Sequence, residues 1–167
     1  KTDSSFSETY MKNCCFTGHR DVILTDKLKN TLSTTISDLI RNGTTDFFAG
    51  GAIGWDTICE TEILRQKIIY PQIKLHLILP CPADEQTLYW NSKTKKIYAD
   101  ILCSADYVEI CSEHYCKNCM MERNQKLVDY ADCCVCYYGG NKFGGTFQTL
   151  NMARKKEINI INLYPQK

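Results

Sequence analysis

Six short apolar segments recur along the chain, each followed by a glycine-rich or polar turn and then by a stretch with helical spacing. Their starts lie about 25–35 residues apart, which is the length of one strand–helix–strand unit. Because the segments are continuously apolar rather than alternating, they predict strands buried on both faces, as in a parallel sheet. The predicted strands are Cys14–Thr17, Asp46–Ala49, Ile73–Leu79, Tyr107–Cys111, Asp132–Tyr138 and Asn159–Leu163.

Helical stretches fill the intervals between these strands. Thr25 can cap a helix that ends at Asn42-Gly43, and its apolar stripe is Leu28, Leu32, Ile36, Leu39 and Ile40. Four more helices are predicted. The second helix carries Cys59 and Ile63, and the third runs from about Trp90 to Leu102. The fourth carries Met120, Leu127, Val128 and Ala131, and the last carries Phe147, Leu150 and Ala153. The predicted fold class is α/β, a single Rossmann-like doubly wound, mostly parallel sheet with helices on both faces.

Length and composition fit one globular domain. The chain has 167 residues, of which 44% are hydrophobic and 23% charged. We expect a domain over 13–167, preceded by a flexible N-terminal segment or cloning remnant over 1–12. No apolar run reaches about 18 residues, and the first ten residues are polar, so we expect a cytoplasmic protein without a membrane partner. The net charge of +1 argues against duplex nucleic acid as a partner.

The eleven cysteines are the unusual part of the composition. Those inside apolar runs are predicted to be small buried hydrophobes: Cys14, Cys15, Cys133, Cys134 and Cys136. A polar stretch holds four more residues that could ligate zinc: Cys111, His114, Cys116 and Cys119. Its C-x-x-C pair could instead act as a dithiol. Because no second C-x-x-C lies in a polar stretch, and Cys133 and Cys136 fall in an apolar run, we favour incidental cysteines and predict neither a metal nor a cofactor.

Four segments are predicted to lie beyond the carboxyl ends of the strands. Open α/β sheets bind their ligands at this edge. Thr17–Arg20 offers a tight glycine turn and an arginine for phosphate or carboxylate. Gly50–Asp56 carries a G-G-x-x-G turn that presents backbone N–H groups to an anion, and this spacing is not the dinucleotide fingerprint. Asp56 could bind a ribose hydroxyl or complement the helix dipole.

The other two segments are Arg123-Asn124 and Gly139–Thr146. The arginine could reach a phosphate or lie on a solvated helix face. A loop with four glycines that opens a helix is typical of a phosphate cradle, in which Thr146 could cap the helix or contact the phosphate. Tyr89 and Trp90 could stack on a base, although Trp90 could equally be core. Together the segments predict a pocket for a phosphorylated, nucleotide-like ligand.

This ordered set of motifs resembles the YpsA-like branch of the SLOG superfamily, which includes the cytokinin-activating LOG proteins and the DNA-processing Smf/DprA proteins. The resemblance covers about Cys14 to Leu163. It implies a Rossmann-like fold and a pocket for nucleotides or nucleotide-derived ligands. The matching pieces are Thr17–Arg20, Gly50–Asp56, Leu79-Pro80, Trp90, Arg123-Asn124 before Val128-Asp129, and Gly144–Thr146.

The chain departs from LOG proteins after the last motif. Their glutamates, which serve hydrolysis of a nucleotide N-glycosidic bond, are replaced here by Phe147, Gln148 and Thr149. A glutamine cannot exchange a proton as a carboxylate does. Asp56 or Glu85 could replace the missing carboxylate, so both are the catalytic candidates.

We therefore expect a binding protein that senses or sequesters a nucleotide or an ADP-ribose-like molecule, with a homo-oligomer as the default expectation by analogy with related folds. The alternatives are a nucleoside-monophosphate N-glycosidic hydrolase of the LOG type and a DprA-like single-stranded DNA-binding protein. The predicted ligand and phosphate contacts are Thr17, Gly18, His19, Arg20, Gly50, Gly51, Gly54, Asp56, Trp90, Arg123, Asn124, Gly144, Gly145 and Thr146.

Overall fold

All six predicted strands form and pair in parallel in the computed structural model, which describes residues 11–166. The strands are β1 (Asn13–Gly18), β2 (Asp46–Ala49), β3 (Lys74–Leu79), β4 (Tyr107–Ile110), β5 (Cys133–Tyr137) and β6 (Asn159–Asn162). The helices are α1 (Asp26–Arg41), α2 (Trp55–Lys67), α3 (Ala83–Gln86), α4 (Ser92–Ser104), α5 (Cys119–Tyr130) and α6 (Gly145–Lys156). Most of the predicted N-terminal segment, residues 1–10, lies outside the described residues.

The strand order is β4-β3-β2-β1-β5-β6. Strands β1 to β4 follow one another across the sheet in chain order. The chain then crosses back, and β5 pairs with the free side of β1. This reversal makes the carboxyl ends of β1 and β5 the switch point of a doubly wound sheet, where ligands bind in such folds. The predicted Rossmann-like fold class is confirmed.

Helices cover both faces of the sheet. Helices α1, α2 and α4 pack over one face, where the core includes Leu32, Ile63 and Leu77. Helices α5 and α6 cover the other face through Leu127 and Leu150. The predicted cap and stripe of α1 are confirmed, since the Thr25 hydroxyl accepts the Leu28 N–H at 3.1 Å and all five stripe residues are buried. Within residues 11–166, no helix has the length and apolar character needed to cross a bilayer.

The prediction of strands buried on both faces holds for the centre of the sheet and is wrong at its edges. Strands β4 and β6 contain no fully buried residue, and Tyr107, Val108 and Ile110 are largely exposed. The physical reason is that a single flanking strand and sparse helix cover leave an edge strand open to solvent. The helix predicted from Trp90 begins at Ser92, capped by the Asn91 side chain.

Candidate functional site

A cavity of about 1110 Å³ opens at the carboxyl edge of the sheet. Its walls come from the turn after β1, the start of α2, the segment after β3, helix α5 and the loop between β5 and α6. Most of the predicted ligand residues line it: Thr17, Gly18, His19, Arg20, Asp56, Trp90, Arg123, Asn124, Gly144, Gly145 and Thr146. The topology therefore brings together segments that lie far apart in the sequence.

His19 links the three backbone segments that meet at the switch point. Its N–H donates to Tyr137 O at 3.2 Å, and its carbonyl accepts from Trp55 N at 3.1 Å. Its ring Nε2 lies 2.8 Å from Gly139 N. Because that backbone N–H can only donate, Nε2 is the unprotonated nitrogen of the ring. His19 thereby fixes the relative positions of the first and last loops of the cavity.

The three glycines of the G-G-x-x-G turn do not line the cavity. A Cβ on Gly54, which has a φ of +87°, would lie 2.2 Å from the Arg20 carbonyl oxygen. A Cβ on Gly50 would lie 2.3 Å from Arg123 Nη1. Gly51 donates its N–H to a Glu60 carboxyl oxygen at 3.0 Å. In this structure the three glycines allow neighbouring chain segments to pack closely behind the cavity wall. Their predicted contacts with a phosphate stay predictions.

Arg123 is the buried cation of the site, with 5% of its surface exposed. Its Nη1 donates to the Gly50 carbonyl, and its Nε donates to Asn124 Oδ1 at 2.8 Å. These two hydrogen bonds hold the guanidinium in the cavity wall, so it does not lie on the solvated helix face that was the alternative. Within residues 11–166, no carboxylate lies within 4.0 Å of it, which leaves its charge available to an anion.

The start of α6 presents backbone N–H groups to the same cavity. Gly144 is the N-cap, with a φ of +93°, and no side-chain hydrogen bond caps the helix. Thr146 therefore lies inside the first turn, so its alternative role as the cap is wrong. A Cβ added to Gly145 would lie 3.8 Å from Asn124 Nδ2, which places this helix end beside the Arg123-Asn124 pair. An uncapped helix N-terminus beside an arginine is an arrangement that attracts anions, and phosphate contacts at this position stay a prediction.

Two buried carboxyls lie on one face of α2. Asp56 lines the cavity and accepts the Ala52 N–H at 3.2 Å, while Glu60 is fully buried behind it. Burial raises the pKa of Asp56, against the opposing charge of Arg123. Burial, and then the Asp56 charge, raise the pKa of Glu60 well above its usual range. Among the described residues, Glu60 Oε2 has no hydrogen-bond partner.

Glu60 was missed from the sequence, although its four-residue spacing from Asp56 places both acids on one helix face.

Glu85 forms part of the opposite wall. Its carboxylate accepts from His114 Nδ1 at 2.9 Å and from Tyr115 N at 2.6 Å. The Tyr115 N–H, followed by His114, lowers the pKa of Glu85. Trp90 is half-buried and packs edge-on against Tyr98, with ring centroids 5.3 Å apart, while it also lines the cavity. Trp90 thus packs on the core and also lines the cavity, while its predicted stacking on a base stays a prediction.

Exposed aromatic side chains surround the cavity mouth. Tyr89 is 95% exposed, Phe143 75% and Tyr115 65%. All three line the cavity. The sequence singled out only Tyr89 among them, because isolated aromatics in loops carry no periodic signal.

The four residues of the polar cysteine cluster are not gathered into one metal-binding arrangement in the described part of the chain. Within residues 11–166, no three His, Cys, Asp or Glu side chains are arranged to hold a metal ion. The His114 ring is hydrogen-bonded to Glu85. All eleven cysteines are free, and those of the β1 and β5 runs are buried as predicted.

An all-parallel doubly wound sheet with a cavity at its switch point defines an α/β protein of the Rossmann-like class. A model of the YpsA family, described as a SLOG family, matches residues 14–164. The chain belongs to this family, which confirms the resemblance seen in its motifs.

One relative is similar in sequence, and two solved structures are similar in fold. A UPF0398 protein of Halalkalibacterium halodurans is 26% identical over 132 residues, covering 78% of this chain and 69% of the relative. DNA processing protein A of Helicobacter pylori has a similar fold, with a TM-score of 0.65, 19% identity and coverage of 93% of this chain and 66% of that one. The Streptococcus pneumoniae protein of the same name gives a TM-score of 0.67, 15% identity and coverage of 95% and 52%.

Proposed function

We propose that this protein binds a nucleotide or a nucleotide-derived, ADP-ribose-like molecule and acts as a sensor or sequestering protein. The observation that carries the proposal is the meeting of Arg123 and the uncapped start of α6 on one cavity. A phosphate there would receive backbone N–H groups and a guanidinium fork. Asn124 adds a side-chain amide beside Gly145.

The remaining walls suit the rest of such a ligand. Trp90 and Phe143 offer flat apolar faces for a base, and Asp56 offers an acceptor for a ribose hydroxyl. The cavity volume of about 1110 Å³ lies at the upper end of small-molecule sites, so it can hold more than a mononucleotide. Eleven free thiols suit a reducing compartment, which supports a cytoplasmic location as part of this proposal.

Isothermal titration with AMP, ADP and ADP-ribose tests the proposal on a matched pair of variants. Gly145→Ala puts a methyl group over the helix N-terminus at a position where the nearest atom of another segment is 3.8 Å away, so the fold is kept. We expect it to weaken binding about tenfold, or roughly 1.4 kcal/mol. Asn151→Ala, further along the exposed side of α6 and outside the cavity, should bind like the wild type.

Binding of none of these compounds, or equal binding by both variants, would refute the phosphate site.

A hydrolase is the second candidate, and the opposite pKa shifts of Asp56 and Glu85 favour it. Two cavity carboxyls whose pKa values are pushed apart suit a general acid and a base or electrostatic stabiliser. This function predicts release of free base from a nucleoside monophosphate, measured by chromatography. Release should be lost in Asp56→Asn, and intact nucleotide after long incubation would exclude it.

Single-stranded DNA binding is the third candidate. DNA processing protein A of H. pylori, which shares this fold, has a single-stranded DNA binding mode. In this chain, Tyr89, Tyr115 and Phe143 could stack on bases at the cavity mouth. The net charge of +1 gives little attraction to a phosphate backbone. A gel shift with single-stranded DNA at physiological salt decides, and a clear shift that is lost in Tyr89→Ala would favour this function.

A further inference from the structure

The C-x-x-C pair at the start of α5 combines an exposed thiol with a buried one. Cys116 is exposed in the loop before the helix, whereas Cys119 is the first helical residue and is fully buried. The Cys119 Sγ lies 3.0 Å from the Cys116 carbonyl oxygen and 3.5 Å from its N. The buried sulfur therefore lies against the backbone that carries the exposed one.

The surroundings of Cys116 favour its thiolate. The Ser112 hydroxyl lies 3.8 Å from its sulfur. This hydroxyl, together with the backbone N–H groups of Asn118 and Cys119, lowers the pKa of Cys116. In contrast, burial and the neighbouring Cys119 thiol raise the pKa of Cys81, which lines the cavity, to about 11. The exposed member of the pair is thus the nucleophile, and the buried member is protected from solvent.

We propose that Cys116 and Cys119 form a thiol–disulfide exchange site that reacts with low-molecular-weight disulfides. In the first step, the Cys116 thiolate attacks one sulfur of the small disulfide, forms a mixed disulfide and releases one thiolate. The released thiolate then takes the proton of Cys119, and Cys119 attacks the Cys116 sulfur, which releases the second thiolate and closes the Cys116–Cys119 bond. The two cysteines are oxidised by two electrons, and the small disulfide is reduced to two thiols.

The other cysteines lack this combination. Cys103 is exposed but stands near the end of α4, and the cysteines of β1 and β5 are buried. The proposal is independent of nucleotide binding, because it uses neither Arg123 nor the start of α6.

The test equilibrates the full chain with mixtures of reduced and oxidised glutathione, quenches with acid, blocks free thiols and maps tryptic peptides by mass spectrometry. Lys117 separates the two cysteines, so the disulfide joins peptide 97–117 to peptide 118–123, whose only cysteine is Cys119. Fragmentation of peptide 97–117 distinguishes Cys116 from Cys103 and Cys111. We expect this linked pair in the wild type and in Cys103→Ser, the matched exposed control. In Cys116→Ser the pair should be lost completely.

Cys119→Ser supplies the second arm of the test. In this variant the exchange should stop at the first step, with one glutathione held on Cys116 in peptide 97–117. Three results would overturn the proposal: equal glutathione labelling of Cys103 and Cys116 without a linked pair, a linked pair that survives in Cys116→Ser, or a bond from Cys119 to Cys81 in its place.

Discussion

Glu60 shows how strongly one buried side chain can set the pH dependence of stability. Its raised pKa means that the folded protein keeps a proton that the unfolded chain has already released. The free energy of unfolding therefore falls as the pH rises through this window, which begins near the ordinary glutamate value of about 4.3. Glu60→Gln removes this ionisation and can keep the hydrogen bond from Gly51. We expect the variant to be more stable than the wild type at about pH 8, with the difference shrinking towards about pH 4, as measured by urea unfolding.

Glu62 on the same helix provides a control of opposite sign. Burial raises its pKa, but hydrogen bonds from Arg65 and Gln66 lower it overall. Its stabilising effect is present above the ordinary pKa and is lost as the pH falls. Glu62→Gln should therefore be less stable than the wild type near neutral pH. If both variants shift stability in the same direction, the explanation for Glu60 fails.

Gly54 is a position where a single methyl group should disrupt the site. Its φ of +87° disfavours any L side chain, and a Cβ would lie 2.2 Å from the Arg20 carbonyl oxygen. We expect Gly54→Ala to lower the free energy of unfolding by roughly 2 kcal/mol or more. At Gly145, φ is not positive and the nearest atom of another segment is 3.8 Å away. Gly145→Ala should therefore leave the free energy of unfolding nearly unchanged. Equal unfolding midpoints for the two variants would contradict this view.

The sequence identified the residues of the cavity better than it identified their roles. Glycines are visible as motifs, yet whether they face a ligand or a neighbouring chain segment depends on packing, as Gly54 and Gly18 show. Glu60 was missed because a carboxyl in a weakly amphipathic helix usually marks the solvated face. Only the fold reveals that this face of α2 packs against the wall of the site.

Among the elements, a lysine of α6 holds the carboxyl end of α5. Lys156, at the end of α6, donates to the carbonyls of Val128, Asp129 and Ala131 at 2.9, 2.6 and 2.9 Å. A cation at the carboxyl end of α5 also complements its helix dipole. Lys156→Met should cost about 1–2 kcal/mol in thermal or urea unfolding. Lys155→Met removes the same charge from the neighbouring exposed residue and should leave the free energy of unfolding nearly unchanged. Equal losses of stability in the two variants would point to net charge as the cause.

The elements themselves were predictable because strand and helix signals alternate strongly. Continuous apolar runs located all six strands, and the cap and stripe located α1. The four-residue helix α3 was missed, since one turn is too short to show a period. The exposure of β4 was also missed, because Tyr107–Ile110 is as apolar as many central strands and edge position is a property of the complete sheet.

At the scale of the whole molecule, the sheet is most stable at its centre. Strand β1 pairs on both sides and is buried, whereas β4 and β6 pair on one side and are partly exposed. Native-state hydrogen exchange should therefore show β1 and β5 amides that exchange only by global unfolding, and β4 amides that exchange by local opening. Equal protection of β1 and β4 in rising denaturant would contradict this gradient.

The central position of β1 also has a consequence during protein synthesis. Of the six strands it is made first, yet the partner on its other side, β5, follows only after β2, β3 and β4. In register with β5, Cys14 and Cys15 face Cys133 and Cys134. At about 5–20 residues per second, the ribosome leaves this edge unpaired for on the order of ten seconds. The nascent chain thus carries two thiols on an open strand edge until β5 is made and the sheet closes.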